Sequence, residues 1–406
     1  METAQITSRA PLYLLALGAF AIVMEGFMIA PLMPSISKDL SVSIATAGLL
    51  VTVFAFTYAI SSPVLTTLTG DLSRRTLLIV SLAIFALGNI IAWSSNSYLQ
   101  LMGARILLAL AAGLYLPNAA AVAGALVAPD QRGRALATVN GGSSAAIALG
   151  VPLGALIGTA GGWRMTFASV AIVGAIAVIG LQFGLPKGFG KGFPTATLGQ
   201  RLGVARNPTA LAAMLCTTLW AIGAYVVYTY VAEYVRATLA PDSIPLSVVL
   251  FVWGCSTVMG MVLGGRFADK MGPRRVIIIA LAVAVVAFVS LSVIGAYVPP
   301  SYATIPFMVT VVLWGASIWA FIAPQQARLI GIVGASVAPI GLSLNATFMY
   351  LGLSAGAALG GLTVTHGTVA DLGWVGGLLE FGALGIMLAT KPRSLPEVSL
   401  VTAKGQ

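Results

Sequence analysis

Glu25 is a carboxylate within an otherwise apolar stretch, residues 17–40, that is long enough to cross a bilayer. A hydrocarbon core is about 30 Å thick and needs roughly 20 apolar residues to be spanned by a helix. An ionised carboxylate at that depth is costly, so the group holds a proton unless something neutralises it. The chemistry that this residue indicates is reversible proton binding. The alternative is a carboxylate that pairs with a neighbouring helix for structure alone.

Arg105 is a second charged residue inside an apolar run. A guanidinium does not deprotonate in proteins, so a buried one needs an acceptor. That acceptor is either Glu25, whose protonation Arg105 would then bias, or backbone carbonyl groups. Glu380, in the last apolar run, is expected at a helix–helix contact or near an interface. These three groups are too few and too scattered for a catalytic site, so we predict no enzymatic activity and no catalytic residues.

The composition places these charges in a membrane protein. The chain has 406 residues, of which 59% are hydrophobic and 8% are charged, and its mean hydropathy is +1.00. A soluble protein of this length carries far more surface charge. The apolar runs are about twenty residues long and do not alternate, which indicates helices rather than barrel strands. The predicted fold class is therefore an all-α membrane protein.

Twelve spans are predicted, and the basic residues orient them. Of the 21 lysine and arginine residues, all but four fall on one side of this span map. The exceptions are Lys38, Arg164 and Arg236 on the other side and Arg105 within a span. The positive-inside rule makes the first side cytoplasmic, together with both termini, and accounts for the net charge of +10 without a nucleic-acid partner. The predicted spans are residues 11–33, 44–66, 76–93, 99–126, 136–158, 163–185, 208–231, 246–267, 276–298, 305–329, 339–364 and 372–388.

One long polar gap divides the spans into two groups of six. Residues 187–207 are rich in glycine and basic residues, which is typical of a flexible cytoplasmic linker. Residues 1–186 then form one six-helix bundle, and residues 208–406 form a second with a short cytoplasmic tail. Two features repeat between the halves: basic pairs ending at Arg75 and Arg275, and glycine stripes in the fifth and eleventh spans. Six-span halves repeated in parallel are typical of transporters with a midplane substrate site.

The loop after the eighth span reads GRFADKMGPRR, from Gly265 to Arg275. We expect Gly265 to allow close helix packing, Asp269 to cap a helix or pair with an arginine, and Gly272 to make the turn. This loop resembles the cytoplasmic loop motif of the major facilitator superfamily. The first-half copy departs from that pattern, because Asp71 falls two positions late when the two basic pairs are aligned.

The fifth span reads GVPLG and continues the glycine spacing through Gly150, Gly154 and Gly158. Pro152 bends the helix and frees a carbonyl, while the glycines permit close packing. The glycines alone are also consistent with packing that has no role in transport. With Pro152 in the stripe, the segment resembles the antiporter signature of the superfamily. The GWR sequence at 162–164 is similar to arabinose, purine-nucleoside and chloramphenicol efflux proteins.

The resemblance covers nearly the whole chain and implies twelve helices in two pseudo-symmetric six-helix bundles. It also implies a monomeric, proton-coupled exporter of a small drug-, nucleoside- or sugar-like molecule in a bacterial inner membrane. A facilitator or proton symporter that imports a metabolite is the alternative. Glu25 and Arg105 are then the proton-coupling candidates, and no metal, cofactor or phosphate-loop pattern is present in the sequence. The candidate residues of the substrate cavity are Asn118, Asn140, Trp220, Tyr228, Trp253, Trp314, Asn345 and Tyr350.

Overall fold

The computed structural model describes residues 9–186, 189–190, 198–334 and 337–390, and the regular structure in these ranges is helical. Twelve helices are long and apolar enough to cross a membrane, which confirms the predicted number. Each predicted span overlaps one of them. They are α1 Ala10–Asp39, α2 Ile44–Leu68, α3 Arg74–Trp93, α4 Tyr98–Ala125, α5 Arg132–Gly161, α6 Trp163–Gly184, α7 Pro208–Tyr228, α8 Leu246–Met271, α9 Pro273–Tyr297, α10 Pro300–Val333, α11 Ala338–His366 and α12 Asp371–Ala389.

Short polar turns end one helix and cap the next. The side chains of Ser43, Ser73 and Ser97 accept hydrogen bonds from backbone N–H groups in the first turns of α2, α3 and α4. Such caps satisfy amides that have no partner within the helix. Gly272, with φ of 85°, joins α8 directly to α9 in a conformation that a side chain would strain. The predicted turn at Gly272 is therefore confirmed.

Three spans are interrupted. In α5, a π-helical turn at Ala146–Gly150 precedes Pro152, which cannot supply a backbone N–H. In α10, two helical segments meet at Phe321. The seventh span was predicted to reach residue 231, but α7 ends at Tyr228 and a separate short helix, Val231–Thr238, follows.

The helices form two six-helix groups, α1–α6 and α7–α12. The predicted linker lies between the end of α6 at Gly184 and the start of α7 at Pro208, and it contains a short helix, Leu198–Ala205. Residues 187–188 and 191–197 of the linker lie outside the described residues, as do residues 391–406 of the predicted tail. We call the side of the bundle that holds this linker the linker end and the opposite side the far end.

The two halves contact each other along the middle and far-end portions of their helices. The Tyr228 hydroxyl donates to the carbonyl of Phe27 at 2.9 Å, and the Ser354 hydroxyl donates to that of Thr52 at 2.9 Å. First-half residues from these portions of α1, α2 and α5, among them Met33, also belong to the apolar core of the second half. Burial of this apolar surface closes the far end between the halves.

At the linker end, the second half packs on itself. Leu329 of α10 lies there in a separate apolar cluster whose described members all follow residue 200. The short linker helix lies against α2. Within the described residues, neither Asp71 nor Asp269 forms an ion pair. The described contacts between the halves therefore close the far end, whereas at the linker end the short linker helix lies against both α2 and α11. The other members of the cluster are Val204, Ala210, Ala213 and Met214.

Candidate functional site

Glu25 of α1 and Arg105 of α4 form an ion pair in the interior of the first half. An oxygen of Glu25 accepts a hydrogen bond from a terminal nitrogen of Arg105, and both side chains are fully buried. The sequence analysis gave two possible acceptors for Arg105, namely Glu25 and backbone carbonyl groups. Arg105 uses both, because its Nε also donates to the carbonyl of Leu50 at 3.2 Å. In this arrangement the guanidinium of Arg105 can offset a negative charge on Glu25.

The pair lies one side chain away from a cavity. The guanidinium of Arg105 stacks over the ring of Phe54, 4.1 Å from its centroid. The second carboxylate oxygen of Glu25 and the second terminal nitrogen of Arg105 have no hydrogen-bond partner among the described residues. A buried pair that is only partly satisfied is readily disturbed, since its desolvation is not fully offset by hydrogen bonds. This geometry suits a group that changes its protonation during a functional cycle.

The cavity beside the pair lies between the two halves and is small, with a volume of about 30 Å³. Its first-half wall includes Gly26, which follows Glu25 in α1, and Phe54. Its second-half wall includes Tyr225 of α7 and Tyr350 of α11. Tyr350 also stacks on Tyr58 of α2, with ring centroids 3.7 Å apart. The sequence-predicted cavity residue Tyr350 therefore lies beside the proton-coupling candidates.

A second small cavity, of about 30 Å³, is lined by aromatic residues of the second half and by Phe27 of the first. Trp220, Tyr228, Trp253 and Trp314 all line it, as the sequence analysis expected of cavity residues. Within this group, Tyr228 and Trp253 stack at 4.7 Å. The indole N–H groups of the three tryptophans are buried and have no hydrogen-bond partner among the described residues.

The three asparagines proposed for the cavity lie elsewhere. Asn118 donates to the carbonyl of Leu114 in its own helix at 2.6 Å. Asn345 accepts from Thr217 at 2.9 Å, in a polar cluster that also includes Gln325. Asn140 is exposed on the linker-end part of α5 and lines neither described cavity. A buried amide needs a partner, but in Asn118 and Asn345 protein groups already supply it.

The glycine stripe of α5 faces α1 rather than lipid. A Cβ atom at Gly154 would lie 3.2 Å from Thr166 and 3.3 Å from Met24, and one at Gly158 would overlap Leu32. Met24 is adjacent to Glu25 in the chain. The π-helical turn of α5 touches the other half, since a Cβ at Gly254 of α8 would lie 2.7 Å from Ala148. Thus α5 connects the helix that carries Glu25 to the interface between the halves. Gly150 and Pro152, the remaining residues of the predicted signature, are buried in the same helix.

We expect Gly154→Leu to reduce transport at least tenfold while the protein remains in the membrane. The added side chain overlaps Met24 and Thr166, and overpacking of this kind typically costs about 1–3 kcal/mol. Gly141→Leu is the matched control, because a Cβ at Gly141 of the same helix meets nothing within 4 Å. Transport rates normalised to the amount of protein in the membrane provide the measurement. Equal rates for both variants would show that the stripe has no role in transport.

The loop between α8 and α9 differs from its prediction in one respect. A Cβ at Gly265 meets nothing within 4 Å, whereas one at Gly264 would lie 2.5 Å from the carbonyl oxygen of Ala320 in α10. Gly264 therefore makes the close helix approach that was expected of Gly265. The shift by one residue turns the contact by about 100° around the helix.

One basic residue of each loop binds the end of another helix, but its position in the basic pair differs between the loops. Arg75 donates to the carbonyls of Leu185 at 2.9 Å and Gln182 at 2.7 Å, at the end of α6. In the second half, Arg274 donates to the last carbonyls of α12 at 3.1 and 3.2 Å, while Arg275 is exposed. Arg75 thus corresponds to Arg274 and not to Arg275, the residue that the alignment of basic pairs had matched to it. Cations at these positions stabilise helix C-termini.

Several residues of the site were missed by the sequence analysis. Phe27 and Phe54 supply the aromatic part of the first-half wall, Tyr58 stacks on Tyr350, and Gln325 completes the polar cluster of Asn345. Phe27 follows Glu25 by two positions, which is about 200° around the helix, so its place in the cavity wall did not follow from that of Glu25.

Sequence and structure comparisons are consistent with this geometry. A sequence profile of the Major Facilitator Superfamily matches residues 15–357. The inner membrane transport protein YdhP of Escherichia coli (strain K12) is 31% identical over 396 residues, covering 96% of this chain and 98% of YdhP. A chloramphenicol resistance protein of Streptomyces lividans is 31% identical over 379 residues, covering 92% of this chain and 94% of the relative. A crystal structure of a mutant of the nucleoside transporter NupG superposes with a TM-score of 0.72 at 13% identity, covering 94% of this chain and 99% of that chain.

Proposed function

Because this chain belongs to the major facilitator superfamily, we propose that it exports a small, largely apolar organic molecule in exchange for protons. Like its relatives, it is a multi-pass membrane transporter. Proteins of this family are not enzymes. The observation that carries the proposal is the buried ion pair of Glu25 and Arg105 beside a cavity that both halves line. Intramembrane charges of this kind mark ion and substrate pathways.

The proposed orientation places the linker end in the cytoplasm. Exposed basic residues at that end, including Arg132, Arg134 and Arg275, support it through the positive-inside rule. The described contacts close the far end, so in this orientation the structure corresponds to a state that is closed to the outside.

In the proposed cycle, the ion pair belongs to the cytoplasm-open state. Glu25 is ionised there and neutralised by Arg105, and the substrate enters the cavity from the cytoplasm. Rocking of the halves then opens the far end. In that state Glu25 binds a proton from the outside, and its bond to Arg105 weakens. The substrate then leaves, and the protonated carrier returns. Coupling requires that the two conformations differ in proton affinity, because an equilibrium shifts only through such a difference.

The apolar and aromatic residues that line the cavities favour an apolar, partly aromatic substrate. Phe27, Tyr225 and Trp253 offer ring faces, and the surface of the second cavity is apolar. The chloramphenicol resistance protein among the relatives makes that antibiotic the first compound to test. Nucleoside and sugar analogues follow in the same assay.

The test is transport by reconstituted or native inside-out vesicles with an acidic lumen. A one-for-one exchanger should concentrate its substrate in the lumen up to about tenfold for each unit of pH difference. Collapse of the gradient with a protonophore should release the accumulated substrate. Equilibration without dependence on the gradient would identify a facilitator. Depletion of substrate from the acidic lumen would identify a proton symporter, and either result would overturn the export proposal.

A further inference from the structure

An apolar groove of about 370 Å³ runs along the outside of the second half, between α8, α9 and α10. Its lining includes Leu263, Phe267 and Met271 of α8, Ile279 of α9 and Leu313 of α10, and each of these large side chains is exposed. None of them lines either cavity between the halves. The groove is therefore a feature separate from the proposed transport site, and in a bilayer it opens toward lipid.

Close packing of α8 on α10 forms the floor of this groove. A Cβ at Gly264 would lie 2.5 Å from the carbonyl oxygen of Ala320, and one at Gly260 would overlap that of Ala316. The stretch of α8 from Gly260 to Met271 rises about 16 Å at 1.5 Å per residue. One leaflet of a hydrocarbon core is about 15 Å deep, half of the full 30 Å. The groove thus has the length of one acyl chain in the leaflet at the linker end.

Two basic residues flank the mouth of the groove at this end. Lys270 precedes Met271, and Arg275 stands one helical turn before Ile279, so each shares a helix with a lining residue. Both side chains are exposed, and within the described residues neither has an ion-pair or hydrogen-bond partner. Asp269 is nearby and exposed, which leaves a net positive charge. A hydrocarbon slot under unpaired cations fits a lipid with an anionic phosphate headgroup.

We propose that this groove binds one anionic phospholipid from the leaflet at the linker end. One acyl chain lies along α8, and the phosphate contacts Lys270 and Arg275. The proposal does not depend on the substrate or on proton coupling. The lipid in this groove differs from bulk lipid because the protein selects its headgroup.

The test is lipid titration of the purified full-length protein in detergent, followed by native mass spectrometry. Phosphatidylglycerol should bind at least about tenfold more tightly than phosphatidylcholine with the same chains, since each basic residue contributes about fivefold. Lys270→Gln/Arg275→Gln should remove that preference. Val283→Trp, which fills the groove, should lower the binding of both lipids. A phosphatidylglycerol with a photoreactive acyl chain should label peptides of α8–α10 in the unmodified protein.

Arg132→Gln/Arg134→Gln is the matched control, because it removes two exposed basic residues at the linker end of α5. It should leave the preference for phosphatidylglycerol unchanged. Equal losses in the two double variants would indicate diffuse attraction to a basic surface and overturn the proposal. Equal affinity for both lipids in the unmodified protein would do the same. Competition by glycerol 3-phosphate would identify a site for a soluble phosphate rather than for a lipid.

Discussion

Glu25→Gln is expected to abolish gradient-driven accumulation of substrate while exchange down a concentration gradient persists. Glutamine has the shape of protonated glutamate but cannot titrate, so the variant cannot link conformation to proton binding. With a gradient of two pH units, the unmodified protein should reach about 100-fold accumulation for one-for-one exchange. The variant should only equilibrate its substrate across the membrane. Vesicle accumulation and substrate-induced proton flux, measured together, provide the test.

Two further variants separate loss of coupling from loss of structure. Removal of one partner of a buried ion pair costs about 3–5 kcal/mol in other proteins, so Glu25→Gln alone risks misfolding. Glu25→Asp keeps a titratable group and should retain part of the uphill transport. Glu25→Gln/Arg105→Met removes both charges, which should restore thermal stability without restoring coupling.

Glu380 offers a matched control for the loss of an intramembrane carboxylate. It is fully buried in α12, and neither carboxylate oxygen has a hydrogen-bond partner among the described residues. A Cβ at Gly223 would lie 3.0 Å from its Oε1, which places Glu380 at the predicted helix–helix contact, here with α7. Glu380→Gln should therefore leave uphill transport intact. If Glu380→Gln loses accumulation while Glu25→Gln retains it, the coupling site is in the second half.

The span map could be predicted from sequence because the bilayer imposes it. Unpaired backbone groups are excluded from hydrocarbon, so apolar length and the placement of basic residues determine the helices. The charged residues at membrane depth were visible for the same reason. The pairing of Glu25 with Arg105 could not be derived, because it depends on how α1 and α4 pack across 80 residues of sequence.

The remaining errors arose where the direction of a side chain decides its role. Asn118 turns onto its own helix, and Asn345 meets Thr217, so neither amide faces a described cavity. Gly264, not Gly265, meets α10, and Arg274, not Arg275, closes a helix end. Residue type and spacing identify such groups, but a rotation of about 100° per residue places neighbours on different faces. Tertiary packing selects among them.

Gly48→Leu is expected to open the far end and to reduce transport at least tenfold. The Tyr230 ring lies in a notch between the halves, formed by Gly48 of α2 and by Gly360 and Gly361 of α11. Its hydroxyl donates to the carbonyl of Ala357 at 3.1 Å, and a Cβ at Gly48 would overlap it. A leucine there would displace Tyr230 and separate the halves where they are closed.

A cysteine at Ala30, which is buried beside Tyr230, reports this opening. In a Cys216→Ser/Cys255→Ser background, a membrane-impermeant thiol reagent added at the far end should label Ala30→Cys at least tenfold faster when Gly48→Leu is present. The matched control is Gly103→Leu, since a Cβ at Gly103 meets nothing within 4 Å. Labelling and transport at the level of the control would mean that Tyr230 does not close the far end.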